Sequence, residues 1–356
     1  MVGISILWLG FLTAFFVVLL ATPSLIKVAK LKHLVDEPSE DRKLHTRSIP
    51  TIGGIVIFGA LIFSYSIWFP EEYYYIDKAI INFKTVVSIL TLLFFVGIKD
   101  DIIGTAPLKK LAAHFIVGFI IVIISDIRVE NMHHIFGVDS LELWQSYIIS
   151  IFTYIVIVNA YNLIDGLDGL AAGIGFISAV SFGVLFALVG NIPLALLSFV
   201  LAGALLGFLI FNFSPARIFM GDSGSLTIGA IISVLAINSI NINSSQLPIS
   251  IAHINMPILA MSIIVYPLAD TIRAFTLRAF KGISPFTADK NHIHHKFISL
   301  GFSHSKTVII LYGYNIFIIA FALLFPIENA TISLIGLIIA ALSIVLIPII
   351  LKKMKG

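Results

Sequence analysis

Long apolar stretches alternate with short polar segments along the whole chain. Each apolar stretch has about 20 residues, the length that an α-helix needs to cross a hydrocarbon core about 30 Å thick. Hydropathy therefore predicts eleven membrane-spanning helices. They lie at residues 4–24, 51–69, 79–98, 111–126, 144–162, 170–189, 193–212, 225–241, 254–273, 307–325 and 331–351.

The composition excludes an ordinary soluble domain. Hydrophobic residues make up 59% of the 356 residues and charged residues only 12%, whereas a soluble protein carries about 25% charged residues. We therefore expect an all-α fold, a polytopic integral membrane bundle that forms one domain over residues 1–356. The chain contains no cysteine, which excludes disulfides and thiolate metal sites.

Basic residues define the orientation of the predicted bundle. Of the 22 Lys and Arg residues, 19 lie in the segments that follow the odd-numbered spans, and only Lys78, Lys84 and Arg128 lie elsewhere. Cytoplasmic segments are enriched in basic residues, so the N-terminus is predicted outside and the C-terminus in the cytoplasm. The first span lacks a preceding basic residue, unlike a cleaved signal peptide, and is predicted to be retained.

The segments on the outer side are short or mildly acidic, and we predict ordinary solvated loops without chemistry there. His133 and His134 form an adjacent pair in one of them. A surface location is favoured over a metal site because no further ligand follows at a fixed spacing. His114 is alone inside a span, and we predict that it packs or forms a hydrogen bond between helices.

The polar residues of the cytoplasmic side form five clusters. The first contains Lys43, His45 and Arg47 and ends in Gly53 and Gly54, where the second span begins. Mixed charge beside a membrane can serve orientation alone. A glycine pair at a helix start also allows a close approach of the backbone to a ligand.

The second and third clusters place carboxylates at the membrane boundary. Asp100 and Asp101 end the third span, and an ionised group there needs a partner. Two repelling carboxylates indicate a divalent cation or a proton acceptor. Asn162, Asp165 and Asp168 follow the fifth span at intervals of three residues, which places them within about 120° on one helix face. No basic residue of that loop neutralises them, so a ligand or metal is expected.

The fourth cluster runs from Asn212 to the start of the eighth span. Asp222 lies at the expected helix N-terminus, where free backbone N–H groups favour anions. A carboxylate there can simply cap the helix, but capping leaves Arg217 and Phe219 unexplained. A metal-bound diphosphate explains more, because hard oxygen ligands suit Mg²⁺.

The fifth cluster contains three histidines within four residues, His292, His294 and His295. Lysines flank them, which favours a cationic pocket for anions. A zinc site is disfavoured because helical zinc ligands are usually spaced more widely, for example at i and i+4.

In this order, the five clusters resemble the polyprenyl-phosphate N-acetylhexosamine-1-phosphate transferases, the membrane superfamily of glycosyltransferase family 4 that contains MraY and WecA/TagO. The likeness covers nearly the whole chain. It is carried by Pro50-Thr51-Ile52-Gly53-Gly54, Asp100-Asp101, Asn162-x-x-Asp165-x-x-Asp168, Phe219 to Ser225, and Pro285-Phe286 with His292-x-His294-His295.

Two departures separate the chain from the MraY branch. Ile293 interrupts a histidine run that is usually contiguous there, and Gly104 stands where that branch tends to carry lysine. The chain therefore looks more like the WecA/TagO branch. The resemblance implies a UDP-N-acetylhexosamine donor, chiefly UDP-N-acetylglucosamine, and undecaprenyl or another polyprenyl phosphate as acceptor. An MraY-type substrate or a different N-acetylhexosamine remains the alternative.

The resemblance also implies residue roles on the cytoplasmic face of the inner (plasma) membrane. Asp222 would hold Mg²⁺, with Mn²⁺ as the alternative ion, assisted by Asp101 and Asp168. Asp100 would position or deprotonate the acceptor, although the identity of any general base and the choice between one-step and covalent two-step transfer stay open. The remaining substrate-binding candidates are Asn162, Asp165, Asn212, Phe219, Lys43, His45, Arg47, His292, His294 and His295.

A secondary transporter is the alternative from another class, because acids and broken helices near the membrane also mark ion pathways. The charged clusters lie at one face, however, whereas a transport site belongs near the midplane, and we see no convincing internal repeat. A nucleic acid partner is not expected, and the sequence leaves a homodimer open.

Overall fold

Helices dominate the computed structural model, which describes residues 2–36, 48–249, 251–282, 292–325, 327 and 329–355. Lys43, His45 and Arg47 lie outside these residues. The elements are α1 (Val2–Leu31), β1 (Val35–Asp36), β2 (Ile49–Pro50), α2 (Gly54–Trp68), α3 (Asp77–Ile103), α4 (Pro107–Phe119), β3 (Asn131–Ile135), β4 (Val138–Ser140), α5 (Leu143–Leu163), α6 (Leu170–Leu188), α7 (Ile192–Asn212), α8 (Gly221–Ile240), α9 (Met256–Ile263), α10 (Val265–Phe280), α11 (Ile293–Ser299), α12 (His304–Leu324) and α13 (Ala330–Lys355).

The helices form a polytopic membrane protein. Among the described residues, seven helices are long and apolar enough to cross a membrane, namely α1, α3, α5, α6, α7, α8 and α12. Helices α9 and α10 are together long and apolar enough to cross as well, but the chain bends by 78° between them, as in a broken span or a re-entrant loop. Helix α2 is shorter, and the fourth predicted span is divided between α4 and a π-helical segment at Ile120–Ile124. The count of eleven spans and the orientation of the termini stay predictions.

Helices α7 and α8 occupy the centre of the bundle. Helix α7 packs against α1 and α6, whereas α8 packs against α3 and α5. Both are apolar on all sides, as expected of a helix with no solvent-facing surface. The outer helices α1 and α3 instead expose large apolar side chains such as Trp8, Leu20 and Phe95. Such side chains suit contact with lipid.

The segment between α4 and α5, which we expected to be a solvated loop, contains regular structure. Strands β3 and β4 form an antiparallel hairpin, and Nε2 of His133 lies 2.6 Å from the carbonyl oxygen of Ile240 at the end of α8. His134 is exposed on the hairpin. His114 is buried, and its Nδ1 lies 3.4 Å from the hydroxyl of Tyr154. The predicted interhelical hydrogen bond of His114 is confirmed.

Glycines allow the first turn of α8 to lie against two other helices. A Cβ atom on Gly97 of α3 would lie 2.4 Å from Cα of Ser223, and one on Gly54 of α2 would lie 2.2 Å from the backbone nitrogen of Gly224. The backbone at Gly53 and Gly54 therefore does lie close to another segment, which is α8 and the residues before it. A close approach of a ligand there stays a prediction.

We expect Gly97→Ala to destabilise the protein, because the new methyl group meets backbone atoms that cannot move without separating α3 from α8. Overpacking of this kind costs about 1 to 3 kcal/mol. Gly59→Ala is the matched control, since a Cβ atom there meets nothing within 4 Å. Thermal unfolding in detergent measures the difference. Equal unfolding midpoints for the two variants would contradict the packing argument.

Candidate active site

The carboxylate of Asp101, near the end of α3, caps the N-terminus of α8. It accepts hydrogen bonds from the backbone N–H groups of Asp222 at 2.7 Å and Ser223 at 3.1 Å, and from the hydroxyl of Ser223 at 2.7 Å. A negative charge suits the positive end of the helix dipole. The anion that we expected at this helix N-terminus is therefore a side chain of the protein. In this structure Asp101 holds α8 in place rather than completing a set of metal ligands.

Lys110, in the first turn of α4, joins two of the predicted acids. Its Nζ donates to Oδ2 of Asp100 at 2.9 Å and also to Oδ2 of Asp222. The amide of Asn162 donates to Oδ1 of Asp222 at 3.1 Å and to the hydroxyl of Ser225 at 3.0 Å. The structure therefore brings Asp100, Asn162 and Asp222 together as the sequence suggested.

Sequence reasoning did not include Lys110 in the site, although a signal was present. A lysine in the first turn of a helix opposes the helix dipole, and this one follows the Asp100 and Asp101 pair closely in the chain. A cation in that unfavourable position needs an acidic partner, and the structure supplies two.

The segment between α5 and α6 adds two further carboxylates. The backbone N–H of Asp165 donates to the carbonyl oxygen of Asn162 at 3.3 Å, but its carboxylate makes no hydrogen bond or ion pair within the described part of the chain. Burial raises its pKa well above the usual range, and the nearby carboxylates of Asp222, Asp101 and Asp168 raise the pKa further. A cation in the site would relieve this repulsion.

Asp168 is better satisfied than Asp165. Its Oδ2 accepts from the backbone N–H of Ala216 at 3.1 Å and lies 3.8 Å from Nδ1 of His304. Burial acts to raise the pKa of Asp168, but the interactions with His304 and Ala216 outweigh it and hold the pKa below the usual range. The Asp168 carboxylate is therefore ionised at neutral pH.

Asn212 and Phe219 connect the loops that frame the site. The side chain of Asn212 is buried, accepts from the N–H of Gly169 at 3.0 Å and donates to the carbonyl oxygen of Ile218 at 2.9 Å. The oxygen and the nitrogen of the Asn212 amide are thus both bound to backbone groups. The backbone N–H of Phe219 donates to the carbonyl oxygen of Pro50 at 2.7 Å, and its ring is partly exposed.

The histidine cluster lies beside the acidic segment between α5 and α6. His294 is buried, and its Nδ1 lies 3.4 Å from the hydroxyl of Tyr266. A Cβ atom on Gly166 would lie 3.2 Å from its Nε2. The ring of His295 lies 4.4 Å away, centroid to centroid. Burial lowers the pKa of His294 to about 3, so this ring is neutral and adds no charge to the predicted cationic pocket.

The structure does not gather the predicted metal ligands Asp101, Asp168 and Asp222 into one ligand set. Within the described ranges, no three His, Asp or Glu side chains are arranged to hold an ion. The donor chemistry nevertheless fits Mg²⁺, because hard carboxylate oxygens outnumber the cations here and Asp165 has no cationic partner in that part of the chain. Asp222 and Asp165 are the residues that fit a metal best.

Comparison with known proteins shows the family to which the chain belongs. A family model described as glycosyl transferase family 4 matches residues 83–240. The probable undecaprenyl-phosphate N-acetylglucosaminyl 1-phosphate transferase of Bacillus subtilis (strain 168) is 31% identical over 309 residues, which cover 85% of this chain and 80% of that protein. The decaprenyl-phosphate N-acetylglucosaminephosphotransferase of Mycobacterium tuberculosis (strain ATCC 25618 / H37Rv) is 30% identical over 357 residues. The match covers 95% of this chain and 88% of that protein.

A third relative is the undecaprenyl-phosphate alpha-N-acetylglucosaminyl 1-phosphate transferase of Escherichia coli (strain K12). It is 29% identical over 290 residues, which cover 80% of this chain and 74% of that protein. The chain therefore belongs to glycosyl transferase family 4, and the resemblance drawn from the five clusters is confirmed.

We expect acid to destabilise the wild-type protein through His294. Its pKa is about 3 when folded and 6.5 ordinarily, so between these values the unfolded chain binds a proton that the folded chain does not. Stability then falls as the pH is lowered through this window, by about 1.4 kcal/mol per pH unit. The measurement is the unfolding midpoint in detergent at pH 7 and pH 5. His294→Gln should lose less than wild type, whereas His134→Gln, at an exposed position, should match wild type. Equal losses in all three proteins would contradict this account.

Proposed function

We propose that this protein transfers N-acetylglucosamine 1-phosphate from UDP-N-acetylglucosamine to a polyprenyl phosphate and releases UMP. The names of the three relatives support the reaction. The structural observation that carries it is the meeting of Asp100 and Asp222 at Lys110, with Asn162 bound to Asp222. The product would be a lipid-linked diphosphate sugar that begins a cell-surface glycan.

The chemical difficulty is that two anions react. An oxygen of the lipid phosphate forms a bond to the sugar-bearing β-phosphorus, while the bond from that phosphorus to the oxygen of UMP breaks. A phosphomonoester has a second pKa near 6, so the acceptor is mostly a dianion at neutral pH. Charge neutralisation and in-line positioning therefore matter more than a general base.

Lys110 is the cation that the described residues offer for this purpose. It contacts Asp100 and Asp222 together, so its ammonium group is fixed where the two acids meet. A substrate phosphate that approaches would find a preoriented positive charge, which lowers the reorganisation needed during the reaction. Asp100, held by the same lysine, is our candidate for positioning the acceptor.

The excess of carboxylates supports a divalent cation at this site. We propose that Asp222 and Asp165 would hold Mg²⁺, or Mn²⁺ in its place, and that Asp168 would assist. Bound there, the ion would supply neutralising charge for the diphosphate. Asp101 contributes by fixing the first turn of α8, which carries Asp222.

The other predicted residues complete the proposed pocket. Asn162 would orient Asp222, and the ring of Phe219 would stack on uracil. The histidines of the fifth cluster, with Lys43, His45 and Arg47, would contact the sugar and the phosphates. The excess of basic residues supports a site on the cytoplasmic face of the plasma membrane, where a nucleotide sugar would be available.

A substrate panel tests the proposal. Purified protein is incubated with undecaprenyl phosphate, Mg²⁺ and separate UDP-sugars, and UMP and lipid-linked sugar are measured. We expect turnover with UDP-N-acetylglucosamine, loss of turnover in EDTA and recovery when Mg²⁺ is restored. Turnover with another UDP-N-acetylhexosamine alone would correct the sugar, and UDP-sugar uptake into vesicles without UMP release would favour a transporter.

We expect Asp222→Asn to lower transfer at least about 100-fold at saturating Mg²⁺, a loss typical of removing one charged group from an electrostatic site. The amide keeps the shape of the side chain but removes the charge that pairs with Lys110. Asp139→Asn, in the exposed strand β4, is the control for loss of one charge. Elution as a folded particle in detergent must accompany both measurements. Turnover close to wild type in Asp222→Asn would remove Asp222 from the mechanism.

A further inference from the structure

Asp270 of α10 is completely buried and accepts two hydrogen bonds. Its Oδ2 lies 2.7 Å from Nδ1 of His292, and its Oδ1 lies 2.7 Å from the backbone nitrogen of Ile293. A buried carboxylate is costly unless it is paired. In Asp270, one carboxylate oxygen accepts from the backbone at the start of α11, and the other accepts from the imidazole ring of His292.

The bond from Nδ1 fixes the state of His292. A carboxylate only accepts, so Nδ1 carries the proton and the tautomer is set by Asp270. Nε2, on the other side of the ring, makes no hydrogen bond within the described residues. The ring also stacks on His294, with centroids 5.5 Å apart and planes 13° apart. Both interactions restrain the direction in which Nε2 points.

The His292 ring lies near the proposed substrate pocket. His294, on which His292 stacks, faces Gly166 between the two acids of the α5–α6 segment. The histidine pair therefore borders the proposed substrate pocket. We infer that Asp270 is a positioning residue, which orients His292 so that Nε2 meets a phosphate oxygen of the UDP-sugar. This inference rests on the proposed function.

The variant Asp270→Asn tests the orientation of the His292 ring while the protein stays folded. The amide oxygen can still accept the N–H of Ile293, whereas the amide nitrogen would donate to Nδ1 of His292 and move the ring proton to Nε2. We expect kcat/KM for UDP-N-acetylglucosamine to fall about tenfold or more, as when an orienting partner of a functional histidine is removed, with a small change in the unfolding midpoint. Thr271→Val is the matched control, because the buried Thr271 hydroxyl has no hydrogen-bond partner in the described chain.

His292→Asn completes a double-mutant cycle. Its amide nitrogen can replace Nδ1 as the donor to Asp270, but nothing replaces Nε2. If Asp270 acts through His292, the double variant loses no more kcat/KM than His292→Asn alone. Losses that multiply, or wild-type kcat/KM in Asp270→Asn, would overturn the inference.

Nitrogen-15 NMR of histidine-labelled protein gives a readout besides activity. The ring signals of His292, assigned by their loss in His292→Asn, should show a protonated Nδ1 in wild type and change in Asp270→Asn. An unprotonated Nδ1 in wild type overturns the inference even if Asp270→Asn fails to fold. A wild-type protein that turns over no UDP-sugar overturns the proposed function instead, so the two failures are distinguishable.

Discussion

The contact between the Asp101 carboxylate and the first turn of α8 is the constraint on which the site depends. Backbone N–H groups at the start of a buried helix have no partner within the helix, and leaving them unpaired in an apolar interior is costly. Asp101 satisfies those of Asp222 and Ser223. Because Asp100 precedes Asp101 in the same helix, the contact also brings Asp100 and Asp222 within reach of Lys110.

The packing of α8 protects this arrangement. The helix is enclosed by α2, α3 and α5, and its first turn fits against them only because Gly54 and Gly97 lack side chains. A carboxylate on such a helix has little freedom to move away from Lys110 and Asn162. Electrostatic catalysis benefits from groups whose positions are fixed before the substrate arrives. The rigid centre of the bundle thus gives the site its preorganisation.

The hydrophobic pattern predicted the seven helices of the described chain that are long and apolar enough to cross a membrane, because a helix in lipid must be apolar over most of its length. It could not locate the 78° bend between α9 and α10 or the β3–β4 hairpin, which depend on local backbone geometry. The position of the acids near the membrane boundary marked them as candidate site residues. An ionised group beside lipid is costly unless it has a partner, so its presence alone carries information.

The partners of individual charged side chains could not be predicted from the sequence. Arg217 was unexplained by capping, yet its guanidinium donates to the carbonyl oxygen of Ile210 at 3.1 Å and lies 4.7 Å from the centroid of the Phe211 ring. The sequence shows that residue 110 is a lysine, but only the structure shows that it donates hydrogen bonds to two acids. Residue type and spacing predict which groups need partners, whereas tertiary packing decides which partners they receive.

The described residues of the site carry more negative than positive charge, which affects the binding of an anionic ligand. Asp165 lies near three other carboxylates, and Lys110 already contacts two acids. A diphosphate that entered this field alone would meet more negative than positive charge, so it needs added cations to bind well. A divalent ion would satisfy that need. Under the proposed function, the same acids would repel a bare nucleotide and favour one that arrives with its charge neutralised, which would couple nucleotide binding to cation binding.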